Sequence, residues 1–434
     1  MLMKNLSLAV CLFLFQNIIF GQEYYFPPVL GNQWETVSPA ELDWCESELD
    51  SLYQFLEAKH TKAFIILKNG KIAVEQYFGN FTQDSIWYWA SAGKSLTAFL
   101  VGIAQQETLI NINNPTSEYL GTGWTSATSE QELAITIWHQ ITMTTGLDED
   151  VPNQNCLDSE CLNYLTDPGE RWYYYNAPYR LVQDAIASAS GQTFNQYTFS
   201  KLGLTTGING LWVDHIFFSK PRHAARFGLL VLNNGIWEDE SILSDQIYFQ
   251  NMINTSQTLN PSYGYLWWLN GKGAYRLPQS ELLFNTDLIP NAPADAIAAL
   301  GKNDQKIYIV PSQDLVVVRM GDASGDGLLA LSSFDNQLWA QLNNLFCNTN
   351  QTTDFSQQTA ITIYPNPVRH QMTIKGEIEL NSQVFIYNSE GQLMADFPYS
   401  TEPFASDFLV NGVYFLEIKN SAGKILATAK FVKL

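Results

Sequence analysis

A chain of 434 residues exceeds one small domain and suits two or three. Its 46% hydrophobic and 13% aromatic content is enough for a large core. With 43 acidic against 23 basic residues, the formal charge of −20 repels phosphate backbones and anionic membrane surfaces, which argues against nucleic acid as a partner.

In chain order, the opening MLMKNLSLAVCLFLFQNIIFGQ has an early lysine (Lys4), an apolar run from Leu6 to Phe20, and Gly21 before Gln22. That layout predicts a secretory signal peptide over residues 1–21. Gln16 and Asn17 interrupt the run, which falls short of the ~20 residues a membrane span needs. The main domain is expected over residues 22–347. TKAFIILKNGKIAVEQYFGN (61–80) reads as two strands turning at Asn69-Gly70. Helical patterns follow over Ser91–Gln106 and near 135–147, then a loop-rich stretch from Asp148 to Pro178, then a helical segment over 222–235. QKIYIVPSQDLVVVRMG (305–321) is a second hairpin turning at Pro311–Asp314. Strands at both ends with helices between predict an α+β fold. Remote segments would complete one antiparallel sheet, flanked by helices and carrying an inserted helical subdomain.

NTNQTTDFSQQT (348–359) is polar and without periodicity, a linker by composition. Beyond it, residues 360–434 read as short strands with turns at Ser389-Glu390-Gly391 and Ser421-Ala422-Gly423, predicting a small all-β sandwich.

Cys11 would leave with the signal segment, so four cysteines remain: Cys45, Cys156, Cys161 and Cys347. In an exported chain they allow two disulfides, in three connectivities, or free thiols. The short spacing of Cys156 and Cys161 favours that pair and leaves Cys45 with Cys347. No histidine lies near them at ligand spacing, so no zinc or other metal is expected, and no cofactor is suggested.

YWASAGKSLTAFLVGIAQQ (88–106) raises the chemical question, because a lysine facing so much apolar sequence is costly. Gly93-Lys94-Ser95 matches the end of a phosphate loop, but Tyr88 stands where its first glycine belongs. Ser91-Ala92-Gly93 matches half of a nucleophile elbow, but Trp89 replaces a small residue; His215 and His223 would be the downstream candidates. Ser91-x-x-Lys94 at a helix start fits better, since residues three apart share a face. Apolar surroundings lower an ammonium pKa toward a neutral amine able to take the serine proton. A solvated lysine is the competing reading of so short a motif.

WASAGKSLTAFLVGIAQQ, ITIWHQITMTTGLD and DPGERWYYYNAPYRLV occur in order, followed by RFGLLVLNNGIW, YGYLWWL and DLVVVRMG. Together, over roughly residues 40–345, they resemble the serine β-lactamase-like hydrolases: class C β-lactamases, D-alanyl-D-alanine carboxypeptidases, family VIII esterases and 6-aminohexanoate-dimer hydrolases. The resemblance implies a β-lactamase/transpeptidase-like fold. It implies Ser91 as the acylated nucleophile, Lys94 as its partner, and the Tyr-x-Asn motif on Tyr174-Tyr175-Asn176. Tyr174 would move the Ser91 proton, with a lysine neighbour lowering its pKa, and Asn176 would meet the substrate's carbonyl side. The run Tyr173-Tyr174-Tyr175 leaves the register open by one. The family's Lys-Thr-Gly or His-x-Gly strand has Ala299-Leu300-Gly301 as its counterpart. Gly301 would let the strand approach the substrate, and the Lys302 amide would join the Ser91 amide as an oxyanion hole. The missing polar side chain favours an uncharged ester or amide over a β-lactam or D-Ala-D-Ala peptide. Trp267 and Trp268 are read either as pocket lining or as core; His139 and His223 are read as packed. From another class comes a surface binding protein that keeps the fold without turnover.

IYPNPVRHQMTIKG, VFIYNSEGQLM and NGVYFLEIKNSAGKILATAKFVKL resemble the C-terminal sorting domain of the type IX secretion system, through Tyr364–Pro367, Asn411–Tyr414, Lys430 and Lys433. This implies the secretion machinery as a partner, and release or cell-surface attachment after crossing two membranes.

Overall fold

The computed structural model describes residues 24–325, 331–347, 361–376, 378–379, 381–388, 393–420 and 425–434. The expected signal segment, the linker, and the turns at 389–391 and 421–423 lie outside the described residues. The chain separates into two compact units, one ending at Cys347 and one beginning at Asn348.

In the first unit the elements that position the site are α1 (Leu49–Ala58), β1 (Thr61–Lys68), β2 (Lys71–Tyr77), α2 (Gly93–Gln106), α3 (Ile137–Ile141), α4 (Asn176–Ser190), α5 (Pro221–Leu232), β3 (Trp268–Leu269), β4 (Ile297–Gly301), β5 (Gln305–Val310), β6 (Leu315–Gly321) and α6 (Ser333–Leu345). The strands form one antiparallel sheet in the order β2-β1-β6-β5-β4-β3. The N-terminal hairpin therefore pairs with the C-terminal one, with Ile65 opposite Val318 and Ile66 opposite Val317. Asn69 and Gly70 both take positive φ, as a tight hairpin turn requires. All residues of β5 and β6 are buried, because both faces of the sheet are covered. On one face α5 approaches so closely that a Cβ on Gly228 would lie 2.4 Å from Val316 Cγ1. On the other, the Tyr308 ring meets Trp339 of α6 edge-on at 5.6 Å.

The helical pattern near 135–147 shortens to Ile137–Ile141. Met143 adopts φ 61°, which no continuing helix accommodates, and Thr144 turns back to donate its amide to His139 O. Disulfides join Cys45 to Cys347 and Cys156 to Cys161. The first fastens the entry to α1 onto the end of α6, where the Cys45 amide also donates to Leu345 O at 2.8 Å.

The second unit contains a three-stranded sheet (Thr362–Tyr364, Gln371–Lys375, Phe404–Ala405) and a four-stranded sheet ordered Leu393–Pro398, Gln383–Asn388, Gly412–Lys419, Ile425–Lys433. Alternation along Gly412–Lys419 buries Tyr414, Leu416 and Ile418 together with Val384, Ile386 and Phe431. Among the described residues no helix is long and apolar enough to cross a membrane.

Candidate active site

The site begins with a constraint on the backbone. Trp89, 1% exposed, donates its amide to Phe217 O and its indole N–H to Ser219 Oγ, both at 2.8 Å. Ala90 follows at φ 47°, a left-handed conformation costing a non-glycine residue about 1–2 kcal/mol. That bend starts a 3₁₀ turn over Ala90–Ala92 that runs into α2 and presents Ser91 at its mouth. Every residue of α2 from Gly93 to Ala104 is buried, Lys94, Ser95 and Thr97 among them. Ser95 spends its hydroxyl on Leu266 O (2.7 Å), a packing role with no phosphate site.

Lys94 is 2% exposed. Its Nζ lies 2.9 Å from Ser91 Oγ and donates to Asn176 Oδ1 at 2.9 Å. Burial, reinforced by the nearby Arg180 guanidinium, pushes its pKa well below the ordinary lysine value. A neutral amine there has a lone pair for the serine proton.

Tyr174 comes from the loop before α4. Gly169 N–H donates to Thr144 O (2.8 Å) and Tyr173 N–H to Met143 O (3.0 Å), so this loop is laced to the turn after α3. The Tyr174 ring stacks on Trp268 at 5.9 Å and faces Lys94 Nζ at 4.7 Å, with its hydroxyl near enough to Ser91 for that serine to hold its pKa down in part. Its two neighbours in the tyrosine run face elsewhere: Tyr173 lies under Arg171 (4.5 Å) and Tyr175 donates to Cys161 O (3.2 Å). One expectation is reversed. Burial raises the Tyr174 pKa, and the nearby Ser91 offsets only part of that rise. The phenol stays protonated at neutral pH, and Lys94 is the group whose pKa is depressed. Asn176 likewise points to Lys94 rather than to an open substrate side.

Gly301 closes the site from β4. A Cβ at 301 would lie 2.4 Å from Trp89 O, 3.0 Å from Ala92 N and 3.2 Å from Ala90 Cβ, so only glycine lets the strand touch the Ser91 turn. Lys302, exposed, opens the turn to β5, in which Asn303 and Asp304 adopt φ 59° and 57°. Fully buried Arg319 holds that turn by donating to Asn303 O (2.9 Å) and Asp304 O (3.0 Å). Asn303 Nδ2 donates in turn to Tyr88 OH at 2.7 Å, on the strand entering the Ser91 turn. Behind it, Lys306 Nζ sits between Asp304 (3.1 Å) and Asp335 (2.8 Å), all nearly solvent-free.

Trp267 and Trp268 belong to the core: both are at most 2% exposed, and only Trp268 reaches the site, by backing Tyr174. His139 caps α3 with Nδ1 against Thr136 Oγ1 (2.9 Å), and His223 bonds Asn209 O; burial pushes both down to about 4. Neither meets Ser91. Sequence reasoning missed Tyr179, whose ring lies 4.1 Å from Lys94 Nζ. The signal was present: Asn176, Tyr179 and Gln183 recur at helical spacing, and Gln183 Nε2 donates to Thr97 Oγ1 of α2 at 3.0 Å.

Comparison with known proteins accords with this geometry. Residues 54–206 match the β-lactamase family model, and residues 362–433 match that of the secretion system C-terminal sorting domain. The chain's first unit has a β-lactamase/transpeptidase-like fold. The C-terminal match indicates type IX secretion to the cell surface or outside. An uncharacterized protein of Alkalihalophilus pseudofirmus is 24% identical over 301 residues, 60% of this chain and 83% of its own. A β-lactamase of Escherichia coli K12 is 26% identical over 140 residues, 31% of this chain and 36% of its own. Among solved structures, a Bacillus anthracis protein assigned by name to the 6-aminohexanoate-dimer hydrolases superposes with TM-score 0.56 at 18% identity, covering 73% of this chain and 87% of its own. A Bacteroides dorei protein assigned by name to the β-lactamases gives 0.55 at 16%, covering 70% and 99%.

Proposed function

We propose that residues 22–347 form a serine hydrolase that cleaves an ester or amide bond through an acyl-enzyme on Ser91. The observation that carries this reading is the 2.9 Å approach of Lys94 Nζ to Ser91 Oγ inside a desolvated pocket. Ser91 Oγ attacks the substrate carbonyl carbon while its proton passes to the Lys94 lone pair. Tyr174 then relays a proton to the departing alkoxide or amine as the acyl–leaving-group bond breaks. Water, activated by the same pair, releases the acid. Gly301 brings β4 against the nucleophile turn, where the Ser91 and Lys302 amides would hold the developing oxyanion.

Ala299 and Leu300, buried and apolar, stand where a polar recognition motif would be, which supports an uncharged ester or short amide. The name of the Bacillus anthracis neighbour points the same way. Residues 1–21 serve as a signal peptide through the inner membrane. Residues 348–359 link to the sorting sandwich (360–434), which engages the type IX machinery. The test is hydrolysis of p-nitrophenyl acetate and butyrate by the full chain beside Ser91→Ala, with nitrocefin in parallel. Ester turnover lost in the variant supports the reading. Nitrocefin turnover moves the substrate to the β-lactams, and silence with no fluorophosphonate labelling moves the protein to a binding role.

A further inference from the structure

Taking the Ser91 proton leaves Lys94 with a full positive charge in a site almost closed to water. Charges in such places are normally met by a carboxylate. Here the groups facing Lys94 are the Ser91 hydroxyl, Tyr174 from the preceding loop, and Asn176, Tyr179 and Arg180 from α4, with Tyr263 behind the two tyrosines. Among the described residues no carboxylate reaches Lys94 at ion-pair distance, and the one charged neighbour, Arg180, repels it. Apart from the Ser91 and Asn176 oxygens, what remains is aromatic. The Tyr179 ring lies 4.1 Å from Nζ and the Tyr174 ring 4.7 Å, both within the distance at which a ring face attracts a cation.

Tyr179 is built for this contact. It is 4% exposed and follows Asn176 by three residues, so one helical face supplies both the amide oxygen and the ring. Its hydroxyl is engaged at the far end, donating to His215 O at 3.1 Å, which anchors the ring and keeps the hydroxyl off Lys94. Gln183, one turn on, locks the same helix to α2.

We propose that Tyr179 is a positioning residue whose ring face holds the protonated form of Lys94 between its receipt of the Ser91 proton and its return of a proton through Tyr174. The proposal rests on the serine-hydrolase reading. It adds no atom to the reaction: the Ser91 O–H bond breaks, an N–H bond forms on Lys94, and that proton leaves through Tyr174 to the departing group.

The test measures the rate at which a fluorophosphonate labels Ser91 as a function of pH, in the full chain, for the native protein and for Tyr179→Phe, Tyr179→Leu and Tyr179→Met. Labelling reports the acylation half-reaction directly and needs no knowledge of the natural substrate. Tyr179→Phe keeps the ring and is expected to label within about twofold of native. Tyr179→Leu and Tyr179→Met lose the ring face and are expected to slow labelling by roughly two- to thirtyfold. Their acid limb should also move to lower pH, by about half to one and a half pH units, because the ammonium has lost a stabilising partner. A merely structural role would lower the plateau without moving the limb. An unmoved limb in both ring-less variants, or a Phe variant as slow as Leu, overturns the proposal while leaving the hydrolase reading in place. A native chain that does not label, or Ser91→Ala labelling as fast as native, removes the hydrolase reading itself.

Discussion

The two sides of the site are built from opposite materials. On the helical side Ser91, Lys94, Tyr174 and Tyr179 sit among aromatic rings, and among the described residues no carboxylate pairs with Lys94. On the strand side the turn after Gly301 is held by an ionic and hydrogen-bonded network of Arg319, Asp304, Lys306 and Asp335. Both sides bury lysine. Lys306 is paired twice, whereas among the described residues Lys94 is paired with neutral oxygens only. In the proposed mechanism the difference separates a charge that stays from one that comes and goes. A lysine between two carboxylates is a fixed structural cation; a desolvated lysine between rings and amide oxygen exchanges a proton.

This contrast can be broken first from the strand side. Arg319→Met strips the donors from the backbone oxygens of Lys59, Asn303, Asp304 and Asp322. Chemical denaturation should show a loss of about 3–5 kcal/mol, as expected when one member of a buried polar network is removed. Next in size is Gly301→Ala. The strand's φ of −130° tolerates alanine, so the effect is purely one of space: the added carbon meets Trp89 O and pushes β4 off the Ser91 turn. Displacement of about 1 Å should lower kcat on the ester substrate by roughly 10²-fold, together with a loss of stability of about 1–3 kcal/mol from the overpacking. A fall in stability without loss of turnover would show that Gly301 serves packing alone.

The smallest effect has the most informative sign. The depressed pKa of Lys94 means that the unfolded chain binds its proton more tightly than the folded one between the folded and ordinary pKa values. Stability therefore rises with pH through that window, and at neutral pH the lysine is a net cost. Lys94→Met should abolish labelling at Ser91 yet raise stability by about 1–2 kcal/mol, measured by thermal and denaturant unfolding. Lys306→Met, its counterpart on the other side, should destabilise, because it leaves Asp304 and Asp335 buried without their cation. Equal signs for the two lysines would remove the distinction.

Much of this was legible along the chain. The Asn69-Gly70 hairpin, the buried helix after Ser91, the Ser-x-x-Lys spacing and the two disulfides depend on local turn chemistry, periodicity or a short count of cysteines. The sorting domain was readable because its motif is contiguous. Tertiary structure alone decided the rest. Three successive tyrosines offer the same hydroxyl, and only the lacing of their loop to Met143 and Thr144 turns Tyr174 toward Ser91. The direction of its pKa followed from burial, which no spacing reports. Arg319 and Asp304 lie 15 residues apart in sequence, and Asp335 joins them only when α6 packs across the sheet. Sequence determined which groups were available for chemistry, because the backbone enforces helical and strand periodicity locally. The folded chain determined their protonation and partners, because desolvation and Coulombic contact depend on what arrives from remote segments.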